Sequence, residues 1–291
     1  MLKTAATVAI GSGFNTTTAA LDVAAKITAN ALPWSSVMSR RRLIMPAARP
    51  DPEIPWALTE SDQSRSAVMA FLDPDDIARY FKPGDVVINS DREHSSNIVP
   101  WQYLEKKKAI HRIYIKAKKD ETFDLVSFET ELHKNKGKIK LVSVVYTSNL
   151  DGYTLPIEEI IKRAHRYKIP VLLDAAQAAP HHEINVQKLD VDFVAISSHK
   201  MCGPSGVGAL YGKKQLLEKL KPFIMGGSTV SNTTYSDYEI EKLPEKFEAG
   251  LQNYAGIIGF GAACEYLQNI GLTKIQKHEN MLTRYFQEHL E

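Results

Sequence analysis

The chain contains 291 residues, of which 44% are hydrophobic and 24% are charged, a composition typical of a globular protein. Its 36 basic and 34 acidic residues leave a net charge of +2, which argues against nucleic acid or an acidic membrane surface as a partner. Two cysteines are too few for a disulfide framework. No segment has the pattern of a signal peptide or a membrane span, so we expect a cytoplasmic protein.

A short strand at residues 7–10 is followed by a predicted helix that ends near Ala31. The sequence NTTTAALDVA at 15–24 offers this helix threonine caps, and the free N–H groups and hydroxyls of such a terminus suit an anion. Residues 32–75 contain five prolines between Pro33 and Pro55 and an arginine triplet, which resist regular structure. They could be an insertion, a flexible loop or a segment outside the native reading frame.

From residue 76 onward, short apolar runs alternate with amphipathic segments. This order predicts βαβ units and an α/β fold with a mostly parallel sheet. A last amphipathic segment at 272–290 would lead toward a second domain. The predicted strands cover residues 86–90, 110–115, 139–146, 169–173, 192–196 and 207–211, and the predicted helices cover 98–107, 125–133, 157–167, 213–220 and 253–270.

Polar side chains follow two of the predicted buried strands. Asp174 ends one strand, and the next delivers Ser197, Ser198, His199 and Lys200. Open parallel sheets bind ligands outside the carboxyl ends of their strands, so we expect these side chains to converge. An acid and a lysine in one crevice suit pyridoxal phosphate (PLP). Its aldehyde needs an amine for a Schiff base, its pyridine nitrogen needs a carboxylate, and its phosphate needs hydroxyls and N–H groups.

Four segments, in the same order, resemble the class V aminotransferases, specifically their cysteine desulfurase and selenocysteine lyase branch. They are EHSSNIVPWQ at 93–102, DAAQAAPH at 174–181, DFVAISSHKMCGPSGVGALYG at 192–212 and FEAGLQNYAGIIGFGAACEYL at 247–267. The resemblance covers about residues 80–290. It implies the large PLP-binding domain of fold type I, a three-layer α/β sandwich with a mostly parallel sheet, and a homodimer.

The resemblance also implies a domain organisation. Residues 1–31 would begin the PLP-binding domain, 32–75 would be an atypical Pro/Arg-rich insertion or loop, and 76–270 would form the rest of the large domain. Residues 271–291 would be a helix that leads toward a small C-terminal domain. We expect that domain to be absent from this chain, and we expect the chain to be truncated at both ends relative to the family.

The same resemblance assigns catalytic roles to three residues. Lys200 would hold the cofactor aldehyde and then act as a base, Asp174 would keep the pyridine nitrogen protonated, and His94 would stack on the ring. The remaining cofactor contacts implied by the resemblance are Asn149 and Gln177 at the phenolic oxygen, and Ser197, His199, Thr16 and Thr17 at the phosphate. Two positions depart from the family pattern: Asn15 stands where glycine is usual, and Leu251 stands where many relatives have threonine.

For a desulfurase, the resemblance implies cysteine as substrate, alanine as product and sulfur left on an enzyme cysteine as a persulfide. A sulfur-acceptor protein and a place in iron–sulfur cluster assembly would follow. The family's sulfur-accepting cysteine and carboxylate-binding arginine have no match here, and Cys202 is not at the nucleophile position. The alternatives are another class V member, such as a transaminase, lyase or epimerase, or a truncated homologue without catalysis.

A metal site is the weaker interpretation of the histidines. His181, His182, His199 and Cys202 are suitable ligand types, but no HxxxH or CxxC spacing supports them. We therefore predict no metal. Cys264 lies in an apolar helix and is expected to be a small buried hydrophobic residue.

Overall fold

The computed structural model describes the backbone of residues 5–10 and, in full, residues 80–222 and 224–290. One sheet contains seven strands: β1 (Ala5–Ile10), β2 (Val86–Ser90), β3 (His111–Ile115), β4 (Ile139–Val145), β5 (Val171–Asp174), β6 (Phe193–Ser197) and β7 (Val207–Gly212). Two more strands, β8 (Val230–Thr233) and β9 (Tyr238–Ile240), form a separate hairpin. The helices are α1 (Val99–Lys108), α2 (Leu125–Lys134), α3 (Ile157–Arg166), α4 (Val186–Leu189), α5 (Lys214–Leu217), α6 (Tyr254–Ile270) and α7 (Leu272–Glu288).

The large sheet has the strand order β1-β7-β6-β5-β4-β2-β3. Every neighbouring pair is parallel except β6 and β7, which are antiparallel. Because β1 is parallel to β7, Ile10 lies beside Gly212. The register places Val145 beside Asp174 and Asp174 beside Ala195, so β4, β5 and β6 end together at one edge. The mostly parallel α/β fold predicted from the sequence is confirmed.

Helices cover both faces of the sheet. Along β5, the side chains of Val171 and Leu173 enter one apolar cluster, whereas Leu172 enters a second cluster on the opposite face. The first cluster also contains Phe128 of α2, Ile160 of α3 and Phe260 of α6, and the second contains Trp101 and Leu104 of α1. Strands buried on both faces account for the continuous apolar runs in the sequence. The result is a three-layer sandwich.

Local sequence signals explain where the covering helices begin and which face they bury. The Asp124 side chain accepts hydrogen bonds from the backbone N–H groups of Val126 and Ser127, at 3.0 and 2.9 Å, and so caps α2. In α3, the buried residues recur at helical spacing and form one stripe, namely Ile157, Ile160, Ile161 and Ala164. These features fix two of the connections between strands that end at the same edge.

The predicted strand and helix boundaries differ from the observed ones by at most two residues, with one exception. The helix predicted at 213–220 is reduced to α5, Lys214–Leu217, and the helix α4 and the β8–β9 hairpin were not predicted. The predicted helix ending near Ala31 and the segment 32–75 lie outside the described residues. Within the described part of the chain, no helix is both long and apolar enough to cross a membrane.

Candidate active site

The carboxyl ends of four parallel strands, β2, β4, β5 and β6, meet at one edge of the sheet. Each strand delivers polar residues into the segment that follows it. Because these ends are neighbours, the segments that follow them lie together at this edge, where an open α/β sheet is expected to form its ligand-binding crevice. The predicted site residues that follow these strands are His94 after β2, Asn149 after β4, Asp174 and Gln177 at and after β5, and Ser197, His199 and Lys200 at and after β6.

Asp174 is the last residue of β5 and is buried, with only 7% of its surface exposed. The backbone N–H of Ala176 donates a hydrogen bond to its Oδ1, at 3.1 Å. Burial raises the pKa of Asp174, while the Ala176 N–H and the positive charges of Lys200 and His94 partly offset that increase. Lys200 and His94 therefore lie within electrostatic reach of a buried carboxyl group. The structure brings the three predicted catalytic residues together.

Lys200 ends a single 3-10 turn, Ser198–Lys200, that directly follows β6. Its side chain is half-buried, and among the described residues no side chain forms a salt bridge or hydrogen bond with its amine. Within the described residues, no side chain therefore holds this amine away from a ligand. The neighbouring His199 is exposed, and its pKa is lowered by partial burial and by the charge of Lys200. Ser197, the last residue of β6, is half-buried.

A tight turn after Lys200 holds this segment in place. The backbone N–H groups of Met201 and Gly203 both donate to the carbonyl oxygen of Ser198, at 2.8 and 3.0 Å. A Cβ at Gly203 would lie only 2.2 Å from Ser198 Oγ and 3.0 Å from the Ser198 carbonyl oxygen. Glycine is therefore required at 203 for the close approach to Ser198.

His94 begins the 3-10 turn Ser95–Asn97 and acts as its N-cap. Its Nδ1 accepts a hydrogen bond from the backbone N–H of Ser96 at 3.2 Å and lies 2.8 Å from Ser96 Oγ. These contacts fix the half-buried imidazole to the turn by one nitrogen. The other nitrogen makes none of these contacts.

The segment that carries Asn149 is joined to the His94 segment by Arg92. The Arg92 guanidinium forms salt bridges with Asp151 at 3.2 Å and Glu121 at 2.8 Å, and it lies 4.5 Å from the centre of the Tyr153 ring. The Arg92 side chain is only 9% exposed, whereas those of Glu121 and Asp151 are 80% and 43% exposed, so these contacts join the two segments near the protein surface. Asn149 is exposed, and Gln177 is half-buried.

Two charged residues at this site were missed by the sequence analysis, Arg92 and Glu93. Both directly precede His94, and both are buried, at 8% and 5% exposure. Adjacent opposite charges after a strand usually indicate a solvated turn, so nothing in the local pattern placed them inside. Some of their partners, Glu121 and Asp151 for Arg92 and Val145 for Glu93, come from distant segments, which a single sequence does not reveal.

Two predicted contacts lie outside the described residues, namely those of Thr16 and Thr17 with a phosphate group. They stay predictions. Within the described part of the chain, no group of three or more His, Cys, Asp and Glu residues is placed to hold a metal ion. His181 instead contacts Glu279 of α7 at 2.6 Å, and His182 contacts Gln276 of the same helix at 3.0 Å.

The chemistry of the crevice fits pyridoxal phosphate. A buried carboxyl group such as Asp174 is stabilised as an anion by a positively charged partner, and a protonated pyridine nitrogen is such a partner. The free Lys200 amine suits the cofactor aldehyde, and the His94 imidazole offers a flat surface for a ring. The sheet and the site together define the large domain of a PLP-dependent protein of fold type I.

Comparison with known proteins identifies the family. The family model described as Aminotransferase class-V matches residues 65–291. The chain therefore belongs to the class V aminotransferase family, whose members depend on PLP.

The curated relatives are named as cysteine desulfurases. A probable cysteine desulfurase from Halalkalibacterium halodurans is 42% identical over 202 residues, which cover 69% of this chain and 49% of the relative. A cysteine desulfurase from Haloferax volcanii is 38% identical over 208 residues, which cover 72% of this chain and 48% of the relative. The chain thus spans about half the length of these relatives.

Solved structures agree with this assignment. The apo cysteine desulfurase from Thermococcus onnurineus NA1 superposes with a TM-score of 0.70 at 34% identity, over 74% of this chain and 53% of that one. The cysteine desulfurase CsdA from Escherichia coli gives a TM-score of 0.64 at 32% identity, over 68% of this chain and 49% of that one. The three-layer fold is therefore shared with cysteine desulfurases.

Proposed function

We propose that this chain forms the PLP-binding part of an enzyme that removes sulfur from cysteine. The observation that carries the proposal is the convergence of Asp174, His94 and Lys200 at one edge of the sheet. The names of the curated relatives support cysteine as the substrate. PLP, when bound, supplies an electron sink for the negative charge that develops at the substrate Cα.

Three side chains would act directly on the cofactor and the substrate. The Lys200 amine would hold the cofactor aldehyde and is the group that would take or return a proton at the substrate Cα. The Asp174 carboxylate would hold a proton on the pyridine nitrogen, which would keep the ring electron-poor. The His94 imidazole would lie against the ring and orient it.

The remaining cofactor contacts would fix the orientation of the ring and its phosphate. Asn149 and Gln177 are the proposed donors to the phenolic oxygen by their match to the family, and each follows a strand that ends at the crevice. Ser197 and His199 precede Lys200 and are proposed to bind the phosphate, together with Thr16 and Thr17. Such contacts position the reacting atoms, which accounts for a large part of enzymatic rate enhancement.

The sulfur step would use a cysteine thiolate that attacks the sulfur of the substrate, leaving a persulfide on the enzyme and releasing alanine. We propose that a sulfur-acceptor protein then takes that sulfur, as in iron–sulfur cluster assembly. Cys202 is exposed but follows Lys200 by only two residues, at a position that does not match the family nucleophile. Another class V activity, such as that of a transaminase, lyase or epimerase, is the second candidate.

We further propose that the enzyme works as a cytoplasmic homodimer. The β8–β9 hairpin carries exposed aromatic residues, among them Tyr235 and Tyr238, of which half or more of the surface is exposed. Exposed aromatic side chains are common at protein interfaces. The hairpin therefore suits a contact between two copies of the chain.

The experiment that tests the proposed function is a titration of the purified chain with PLP, followed by addition of L-cysteine or L-alanine. Visible absorbance and circular dichroism should report a bound cofactor in the wild-type protein. Lys200→Ala should lose the covalent signal, and Asp174→Ala should retain some cofactor but fail to respond spectrally to an amino acid. The exposed Glu265 of α6 offers a control away from the site and the hairpin, and Glu265→Ala should behave like wild type. A folded chain that binds no PLP would support the non-catalytic alternative, whereas formation of a keto acid would support a transaminase.

A further inference from the structure

A buried polar network lies directly beneath the His94 turn, and Glu93 is at its centre. Glu93 Oε1 accepts hydrogen bonds from the backbone N–H groups of Val145 and Ser90, at 2.9 and 3.2 Å, and from the Ser90 hydroxyl. Its Oε2 accepts a hydrogen bond from Asn97 Nδ2 at 2.6 Å. One carboxylate therefore joins the end of β2, the end of β4 and the last residue of the His94 turn.

The orientation of Asn97 in this network is fixed by its other contacts. Its Oδ1 accepts hydrogen bonds from Trp101 Nε1 at 3.1 Å and from Ser143 Oγ at 2.5 Å. Because an indole nitrogen only donates, Asn97 must turn its oxygen toward Trp101 and its amide nitrogen toward Glu93. The hydrogen bond between Asn97 and Glu93 therefore has a defined direction, which substitutions can reverse.

His94 is held by the turn that this network braces. The ring is bonded through Nδ1 to Ser96, which lies between His94 and Asn97. Glu93 precedes the ring by one residue, and its bond to Asn97 spans the turn. Any loosening of that bond is transmitted to the backbone that carries the imidazole. Supporting hydrogen bonds of this kind orient the side chains that contact a cofactor.

The charge of Glu93 is also connected to the site. Burial raises the pKa of Glu93 to about 7, against the opposing effect of its hydrogen bonds from Ser90, Val145 and Asn97, and the negative charge of Asp174 adds to the rise. Two buried carboxyl groups, Glu93 and Asp174, thus lie within electrostatic reach of each other beside the crevice.

We propose that Glu93 is a positioning residue that fixes the His94 imidazole relative to Asp174 through its hydrogen bonds to Ser90, Asn97 and Val145. This inference rests on the proposed function, in which His94 contacts the cofactor ring. Glu93 itself does not touch the cofactor. It sets the geometry of a residue that does.

The test compares Glu93→Gln, Asn97→Asp and the double variant. In Glu93→Gln, an amide NH₂ replaces one acceptor oxygen and faces a donor, so one buried hydrogen bond is lost. In the double variant, the new amide nitrogen at position 93 can donate to one oxygen of the new carboxylate at position 97. The amide oxygen at position 93 still accepts from Ser90 and Val145, and the other carboxylate oxygen at position 97 still accepts from Trp101 and Ser143. The direction of the hydrogen bond between positions 93 and 97 is then reversed, and the site should be restored.

Two readouts separate positioning from a general loss of stability. The first is the PLP dissociation constant together with the visible circular dichroism per bound cofactor, which reports the orientation of the ring. The second is the set of ¹⁵N NMR signals of the His94 imidazole in protein with ¹⁵N-labelled histidine, which can be recorded without the cofactor. The signals that disappear in His94→Gln belong to His94. Thermal unfolding of the same samples measures stability separately.

We expect Glu93→Gln to weaken PLP binding about tenfold, to alter the circular dichroism and to shift the His94 signals, and we expect the double variant to return within about threefold of wild type. Unchanged circular dichroism and His94 signals in a folded Glu93→Gln protein would overturn the inference. If Glu93→Gln does not fold, the double variant decides: a folded double variant with wild-type His94 signals supports the inference, and altered signals refute it. A wild-type protein without PLP binding would instead refute the proposed function, and the His94 signals would still test the role of Glu93.

Discussion

Asp174 and Lys200 follow adjacent parallel strands and meet at the same edge of the sheet, although 26 residues separate them in the chain. Burial raises the pKa of the Asp174 carboxyl group, and the charge of Lys200 partly offsets that rise. Neither effect depends on a ligand. The protein thus holds a buried acid and a free amine in one crevice, an arrangement that costs stability and is typical of functional sites.

The turn that carries Lys200 should be sensitive to a single methyl group. In Gly203→Ala, the new Cβ would lie 2.2 Å from Ser198 Oγ, so the turn must shift. We expect a loss of about 1–3 kcal/mol in the free energy of unfolding and weaker PLP binding. Urea denaturation and PLP titration measure the two effects.

The chain offers a matched control for this substitution. A Cβ at Gly227 would meet nothing within 4 Å, so Gly227→Ala should change neither property. Adding Ser198→Ala to Gly203→Ala removes the closest contact but leaves the Ser198 carbonyl oxygen at 3.0 Å, so we expect partial recovery. Equal effects of Gly203→Ala and Gly227→Ala would show that the close approach at Gly203 does not exist.

Glu93 should make the stability of the protein depend on pH. Its pKa in the folded protein is about 7, above its ordinary value of 4.5. Between these values the folded protein binds a proton that the unfolded chain does not. The contribution of Glu93 to the free energy of unfolding is therefore complete below about pH 4.5 and is lost as the pH rises through 7. The free energy of unfolding should fall by an amount on the order of 3 kcal/mol.

The measurement is urea denaturation of wild type and Glu93→Gln at pH 5 and pH 8. The wild-type protein should lose more unfolding free energy than the variant over that interval. Asp174 is present in both proteins, so its own titration cancels to a first approximation. Glu265 lies on the exposed face of α6, and Glu265→Gln should keep the wild-type dependence. An identical pH dependence for Glu93→Gln would contradict the assignment.

The general architecture and the strand ends could be predicted from the sequence because short apolar runs mark strands that are buried on both faces. Asp174 was found because it directly follows such a run, and Lys200 because it closes the short polar segment 197–200 after the next run. The structure then confirmed that these strands are neighbours in the sheet.

Arg92 and Glu93 could not be found in this way. Several of their partners, among them Asp151 and Val145, belong to other segments, and only the fold brings them together. A charged residue is normally assigned to the surface, and that assignment fails where hydrogen bonds satisfy the buried group. The short hairpin β8–β9 was missed for a different reason, because its residues are polar or exposed and form no apolar pattern.

Cys202 should not serve as the sulfur-accepting nucleophile, because it does not stand at the family position. Sulfur transfer needs a thiolate at the substrate sulfur and a cation for the substrate carboxylate, and no residue of this sequence matches the family positions for either. The loss of a charged substrate contact alone costs about 2–5 kcal/mol. Release of sulfide and alanine from cysteine, measured with wild type and Cys202→Ser, tests this expectation. Robust turnover that disappears in Cys202→Ser would refute it and would assign the nucleophile to Cys202.

The most direct test of the central claim is to reduce the PLP-loaded protein with borohydride and to map the labelled peptide by mass spectrometry. The geometry predicts a pyridoxyl group on Lys200, because no described side chain engages its amine and the amine lies within electrostatic reach of the buried Asp174. Lys213, which is engaged by Asp190 and Asp192 at 2.6 and 3.0 Å, should remain unlabelled. A label on a lysine other than Lys200, or no label in a folded protein that binds PLP, would contradict the account.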